Sequence, residues 1–297
     1  MWRGVFPAVT TKFTTDGNLD KAEMERCFAL QFEAGVDGMI VCGSLGENMT
    51  LEAEEKIEIL KIAKSVAGSK PVLMTICESA TRRGEAAARA AAKAGADGLM
   101  VLPGVPYKSA PTETLAHVQA VAAGGGLPIM VYNNPVAYGV DVTLSMFDEL
   151  AKNELVAATK ESTDDIRRVT DVLTRFGDRF DCFTGVDNLA LESLLMGAHG
   201  WVAGLVVAFP KETVAIWKLI QAGRLEEARA IYRWFRPLLD LDVSTNLVQN
   251  IKLAEVFTID SNDRVRAPRL PLAGVERQRV EGIIEAALAK RPVPPKF

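Results

Sequence analysis

Ala34-Gly35-Val36-Asp37-Gly38-Met39-Ile40-Val41 returns sixty residues later as Ala94-Gly95-Ala96-Asp97-Gly98-Leu99-Met100-Val101, and more loosely as Met196-Gly197-Ala198-His199-Gly200-Trp201-Val202-Ala203. In each copy a helical stretch ends at a small residue and a glycine follows in the left-handed conformation that closes a helix. A polar turn comes next, then an apolar strand. Sixty residues is the length of two βα units of about 30 residues each. The repeat therefore predicts a chain in which strand and helix alternate.

That template finds eight apolar runs, Val5 to Thr10, Gly38 to Cys42, Val72 to Ile76, Gly98 to Leu102, Ile129 to Tyr132, Val156 to Thr159, Asp181 to Thr184 and Trp201 to Val206. None shows simple in-out alternation of polar and apolar residues, as expected of strands covered on both faces. Helices fit between them. Thr50 with Glu52, Glu54 and Glu55 starts one, its acids at the positive end of the dipole. Ala80 to Ala94, Thr112 to Ala123, Leu144 to Lys152, Asp164 to Phe176 and Asn188 to Met196 supply others. Such a chain closes as a barrel or opens as a doubly wound sheet. The open sheet calls for a glycine-rich turn after its first strand, and Pro7-Ala8-Val9-Thr10-Thr11-Lys12 is not one. The expected fold is an α/β (β/α)8 TIM barrel, with its core over 1–208. Over 209–297, Pro210 to Ala222, Leu225 to Leu241, Leu247 to Phe257 and Gly274 to Ala289 read as the last barrel helix and a C-terminal helical extension, with Pro268 to Pro271 an irregular connection.

Composition narrows the function. The 297 residues carry 34 Lys+Arg against 38 Asp+Glu, a net charge of -4, so no basic field attracts nucleic acid. Met1 to Thr15 lacks a basic segment followed by an apolar one, and no apolar run approaches the roughly 20 residues of a membrane span; the expectation is a cytoplasmic protein with no membrane partner. Cys27, Cys42, Cys77 and Cys182 form no C-x-x-C pair and read as buried free thiols. With His117 and His199 the only histidines, a His-rich metal site is excluded. No metal and no cofactor are expected.

Barrel chemistry sits at the carboxyl ends of the strands. There the chain places Thr10-Thr11, Gly43-Ser44-Leu45-Gly46-Glu47, Glu78-Ser79, Tyr107, Tyr132-Asn133-Asn134-Pro135, Lys160-Glu161-Ser162, Gly185-Val186-Asp187-Asn188 and Gly204. Lys160 follows a buried run, and desolvation favours the neutral amine that attack on a carbonyl requires; the alternative is a structural ion pair with Glu161 or another acid. Tyr132 is either a proton-transfer group or a core tyrosine with a wet hydroxyl. The two-glycine loop around Ser44 offers backbone N–H groups to an anion, or is only a turn. Glu47, Glu78, Glu161 and Asp187 near the mouth read as solvated or structural carboxylates, since no histidine joins them.

Together these residues resemble the dihydrodipicolinate synthase / N-acetylneuraminate lyase family of class I aldolases, from about Trp2 to Lys290. The matching pieces are Pro7-x-Val9-Thr10-Thr11, Gly43-Ser44-x-Gly46-Glu47, Tyr107, Tyr132-Asn133-x-Pro135 and Lys160-Glu161-Ser162, in the family's order. The resemblance implies that Lys160 is the Schiff-base lysine and Tyr132 the proton-shuttling acid/base. It implies that Ser44 hydrogen-bonds Tyr132, while its backbone and that of Leu45 receive the substrate carboxylate. Tyr107 takes the place of a tyrosine that reaches a neighbouring subunit's site in the synthase branch, although Pro103-Gly104-Val105-Pro106-Tyr107 departs from the usual tyrosine pair. Gly185 and Asp187 are expected among the substrate-binding residues, and a homotetramer of tight dimers is implied.

The departures narrow the substrate. In the synthase branch an arginine after Tyr-Asn-x-Pro binds a second carboxylate; here Ala137 stands in that place, and Leu45 replaces a hydroxyl. The runs 43–48 and 132–138 look most similar to the deaminases of 1-pyrroline-4-hydroxy-2-carboxylate from bacterial hydroxyproline breakdown. The expected substrate is thus a small 2-oxo acid or cyclic imine carboxylate. The rivals are a pyruvate-dependent aldolase or hydratase-aldolase of sugar acids or aromatic aldehydes, a metal-dependent lyase, and a non-catalytic binding or regulatory member, which would not need both Lys160 and Tyr132.

Overall fold

The structure is a computed structural model and describes residues 2–295 and 297. All eight expected strands form, as β1 Gly4–Pro7, β2 Met39–Val41, β3 Val72–Ile76, β4 Gly98–Val101, β5 Ile129–Asn133, β6 Val156–Glu161, β7 Asp181–Thr184 and β8 Gly200–Ala203. They lie parallel in the order β1-β8-β7-β6-β5-β4-β3-β2. The two ends meet where the chain runs on past Pro7: Ala8 bridges Ile40, and the Val9 N–H donates to the Ile40 carbonyl at 3.0 Å. The sheet therefore curls into a (β/α)8 barrel, and the open-sheet alternative falls.

Twelve helices surround and extend it among the described residues: α1 Lys21–Glu33, α2 Ala53–Ala67, α3 Thr81–Lys93, α4 Pro111–Gly125, α5 Pro135–Tyr138, α6 Leu144–Leu150, α7 Arg167–Phe176, α8 Ala190–Leu195, α9 Pro210–Gln221, α10 Leu225–Leu239, α11 Leu247–Ile259 and α12 Gly274–Leu288. Three boundaries differ from expectation for local reasons. Thr50 belongs to a preceding 3-10 turn, and α2 is capped instead by Glu52, whose N–H donates to the Glu55 carboxylate at 2.9 Å. Helix α7 starts late because Asp164 has φ +59°, outside the helical region. The last apolar run breaks after Ala203, where the Asp187 carboxylate accepts the N–H groups of Gly204 and Leu205 and turns the chain.

The repeat has a structural meaning at each position. Gly35, Gly95 and Gly197 have φ of 94°, 91° and 101°, the region a side chain rarely adopts. The polar turn residue then ties each unit to the preceding strand: Asp37 accepts the Val5 N–H at 2.9 Å, Asp97 the Val72 N–H at 2.7 Å, and His199 Nδ1 the Cys182 N–H at 2.9 Å. The second glycine makes room for the barrel filling. A Cβ at Gly38 would lie 2.2 Å from the Phe6 ring, and one at Gly200 2.3 Å from Phe183.

The interior is filled by Phe6, Ile40, Leu73, Met100, Met130, Ala158, Phe183 and Val202, while alternate residues of the same strands pack outward under the helices. Because strand side chains alternate, the residues two further along from these point inward at the mouth. Among them are Leu102, Tyr132 and Lys160, with the side-chain-free Gly185 and Gly204 at the corresponding positions just past β7 and β8.

The helical extension is fastened to that mouth by ion pairs with no solvent exposure. On α11, Lys252 Nζ donates to Glu47 Oε1 at 2.6 Å, and Glu255 accepts from Lys12 Nζ at 2.5 Å and from the Thr10 hydroxyl at 2.9 Å. All four cysteines are buried free thiols. No helix of the described residues is long and apolar enough to cross a membrane.

Candidate active site

Lys160 and Tyr132 are register partners on β6 and β5, each inside its strand rather than in the loop beyond. Both side chains enter a cavity of about 350 Å³ at the barrel mouth, and Lys160 Nζ lies 4.1 Å from the centre of the Tyr132 ring. Strand alternation sends Glu161 to the opposite face, where Asn133 Nδ2 donates to it at 3.2 Å. No carboxylate among the described residues forms an ion pair with Lys160. The ion-pair reading of this lysine thus loses its partner. Burial pushes the Lys160 amine down to about 8, against the opposing pull of Asp242 and then Asp187. Burial also pushes the Tyr132 phenol up to about 12.

The run after Tyr132 is built to hold that phenol. Asn134 caps the one-turn helix α5 by accepting the Ala137 N–H at 2.9 Å, and its Nδ2 donates to the Tyr132 hydroxyl at 2.9 Å. Pro135 occupies the first helical position, where no N–H is needed. The turn carries Tyr138 back over the cavity, edge-on to Tyr132 with ring centres 5.9 Å apart. The Tyr138 hydroxyl hydrogen-bonds Ser44. Ser44 was expected to bond Tyr132; the extra turn of α5 interposes Tyr138 instead.

Ser44 and Leu45 line the same cavity, and no acceptor among the described residues takes their backbone N–H groups. Neighbouring N–H groups free at a cavity wall make a receptor for an anion such as a carboxylate. The loop is braced from behind: Thr11 Oγ1 donates to the Gly46 carbonyl at 2.7 Å, and the fully buried Glu47 is held by Lys252.

Opposite this loop, Gly185 leaves space for the Lys160 side chain. A Cβ there would lie 2.5 Å from Lys160 Cε and 2.2 Å from Ser162 Oγ. Asp187, expected to bind substrate, does not line the cavity. Its carboxylate is fully buried behind Gly204, accepting from Trp201 Nε1 at 2.9 Å and Leu205 N–H at 2.8 Å, and it touches the chemistry only through its field on Lys160.

Tyr107 also stands apart. It is 54% exposed, in a separate surface hollow with Ser79, Glu113 and His117. The carboxylates Glu47, Glu78 and Glu161 each have a partner, in Lys252, Lys56 and Asn133, and form no shared cluster. Tyr138, Ser162, Asn134 and Asp242 line the cavity although no role was expected of them. Ser162 was reachable from alternation, two residues past Lys160. Asp242 comes from the α10–α11 loop and left no periodic signal.

A family model described as the dihydrodipicolinate synthetase family matches residues 1–287. A 4-hydroxy-tetrahydrodipicolinate synthase from Methanosarcina barkeri is 32% identical over 283 residues, 94% of this chain and 96% of the relative. Among solved structures, the 4-hydroxy-tetrahydrodipicolinate synthase of Methylacidiphilum fumariolicum superposes with a TM-score of 0.90 at 26% identity, covering 98% of each chain. A prophage protein of the dihydrodipicolinic acid synthase family from E. coli K12, solved in complex with pyruvate, gives 0.91 at 26% identity and covers 97% of this chain and 99% of its own.

Proposed function

Because the chain belongs to the dihydrodipicolinate synthetase family and is an enzyme of that family, we propose that it acts through a Schiff base between Lys160 and the C2 carbon of a small 2-oxo acid or cyclic imine carboxylate. The observation that carries this reading is the buried Lys160 amine, set over the Tyr132 ring with no ion pair among the described residues. The unpaired N–H groups of Ser44 and Leu45 receive the substrate carboxylate, and Tyr132 moves the proton at C3. The E. coli relative was solved in complex with pyruvate, a small 2-oxo acid of this kind.

The finer reading is deamination of 1-pyrroline-4-hydroxy-2-carboxylate. Lys160 adds to C2 and the ring nitrogen departs as an amine on C5. Loss of a C3 proton, assisted by Tyr132, expels the 4-hydroxyl as water. Tautomerisation moves the resulting double bond to C5 and its nitrogen, one water there releases ammonia, and a second at C2 releases 2,5-dioxopentanoate and restores Lys160. Ala137 in place of an arginine and the apolar Leu45 and Val136 beside it support a compact substrate with one carboxylate over dihydrodipicolinate synthesis. The alternative is a pyruvate-dependent aldolase on the same lysine. Ammonia released from the hydroxypyrroline supports the deaminase; pyruvate released from 2-keto-3-deoxy acids, with no ammonia from the hydroxypyrroline, replaces it with the aldolase. Assembly into a homotetramer belongs to the same reading, and sedimentation of the purified chain tests it.

A further inference from the structure

One wall of the cavity carries a carboxylate that neither imine formation nor carboxylate binding uses. Asp242 follows the last turn of α10, its N–H donating to the Leu239 carbonyl at 3.1 Å, and its side chain lies over Gly204. A Cβ at Gly204 would stand 2.2 Å from Asp242 Oδ1, so the glycine that ends β8 is what lets this carboxylate reach the cavity. Asp187, just behind, has its oxygens occupied by N–H donors. No protein donor among the described residues bonds the Asp242 carboxylate, and it forms no ion pair with Lys160. A half-buried carboxylate at the cavity wall that no protein donor bonds is left free to accept from a bound molecule.

The charge of the cavity points the same way. Its lining holds Lys160, Asp164 and Asp242 and no arginine. Once the imine forms, the single cation of the lining is held as the iminium at the reacting carbon, beside the first carboxylate. A second carboxylate further along the substrate would then face two aspartates with no second cation in the lining, whereas a hydroxyl or a protonated nitrogen would find an acceptor.

We infer that Asp242 is the specificity-determining group of this cavity: its carboxylate accepts a hydrogen bond from a hydroxyl or protonated nitrogen on the substrate chain beyond the carbon joined to Lys160, and it repels a second substrate carboxylate. The inference rests on the reading of Lys160 as the Schiff-base lysine. Burial and Asp187 raise the Asp242 carboxyl well above the ordinary range and Lys160 opposes them, so a donor from the substrate favours its charged form.

The test is competition for borohydride trapping of isotope-labelled pyruvate on Lys160. Three five-carbon competitors are used: 2-oxopentanoate, 5-hydroxy-2-oxopentanoate and 2-oxoglutarate. The wild-type chain should bind the hydroxy acid about ten- to a hundredfold more tightly than 2-oxopentanoate, the size of one hydrogen bond to a charged group, and 2-oxoglutarate least well. Asp242→Leu should bring the hydroxyl preference close to one. Asp242→Asn, which keeps the shape and an acceptor, should retain part of that preference and lose the discrimination against 2-oxoglutarate. Ratios are taken within each variant, so a general loss of active protein cancels. Labelled Lys160 with wild-type ratios in both variants overturns the role of Asp242 alone. Unlabelled Lys160 in the wild-type chain overturns the Schiff-base reading and this inference with it.

Discussion

Lys160 Nζ lies 4.1 Å from the centre of the Tyr132 ring because the two residues are register partners on adjacent strands. The relative position of these two side chains is thus set by backbone pairing rather than by loop conformation. A carbon joined to Lys160 has the phenol of the neighbouring strand beside it, with Asn134 orienting the hydroxyl.

That arrangement makes Tyr132→Phe a test of proton transfer. Turnover should fall by about a hundred- to ten-thousandfold, the usual contribution of a positioned acid or base, with a much smaller change in KM. Tyr138→Phe removes only the hydrogen bond to Ser44 and should cost about threefold to tenfold in kcat/KM. Steady-state kinetics of the two variants side by side decide between these roles; equal effects would contradict the assignment.

The rate of imine formation should rise with pH and level off above about 8, as the Lys160 ammonium gives up its proton. The groups facing it are Tyr132 from β5, Asp187 after β7 and Asp242 from the α10–α11 loop. Burial favours the neutral amine, while the two aspartates favour the ammonium. Asp242→Asn therefore moves the midpoint to lower pH. Glu161 is pushed up to about 7 but faces the other side of the sheet, so Glu161→Gln should leave the midpoint in place. Rapid-quench reduction with borohydride across neutral and alkaline pH measures each profile; a rate that falls with rising pH would contradict the sign.

Gly185→Ala should inactivate without unfolding. The new methyl would stand 2.5 Å from Lys160 Cε and must displace that side chain. A shift of about 1 Å can cost on the order of a hundredfold in rate. Unchanged circular dichroism with kcat/KM reduced by that order is the expected result, and full activity would show that the pocket yields freely.

Stability should depend on the ties between barrel and extension. Glu47→Ala leaves Lys252 without its carboxylate partner in a site with no solvent exposure, and breaking such a pair costs about 3–5 kcal/mol. Burial already drives the Lys252 amine down to about 8 with Glu47 present. The double substitution of Glu47 and Lys252 by apolar residues of similar volume should recover much of the loss, measured by denaturant unfolding.

The barrel was legible because its signals are local. A glycine with φ between 91° and 101° and a polar residue that ties the unit to the preceding strand, Asp37, Asp97 or His199, recur within a few residues of each other in every copy of the repeat, so sequence spacing alone exposes them. Lys160, Tyr132 and Gly185 were legible for the related reason that strand ends define a barrel mouth. Tyr138 and Asp242 were not. The bond from Ser44 to Tyr138 depends on a one-turn helix too short for a periodic pattern. Asp242 reaches the cavity only through the packing of the α10–α11 loop over Gly204, more than thirty residues away in sequence. Asp187 misled for the opposite reason: it sits at a strand end, but its carboxylate serves the backbone of the next turn.

The central claim is that Lys160 is the covalent nucleophile. Borohydride reduction of the chain with pyruvate or 1-pyrroline-4-hydroxy-2-carboxylate, followed by peptide mass mapping, tests it most directly. The account predicts a reduced adduct on Lys160 and none elsewhere, with both adduct and turnover lost in Lys160→Ala. An unmodified Lys160, with activity intact in Lys160→Ala, would contradict it.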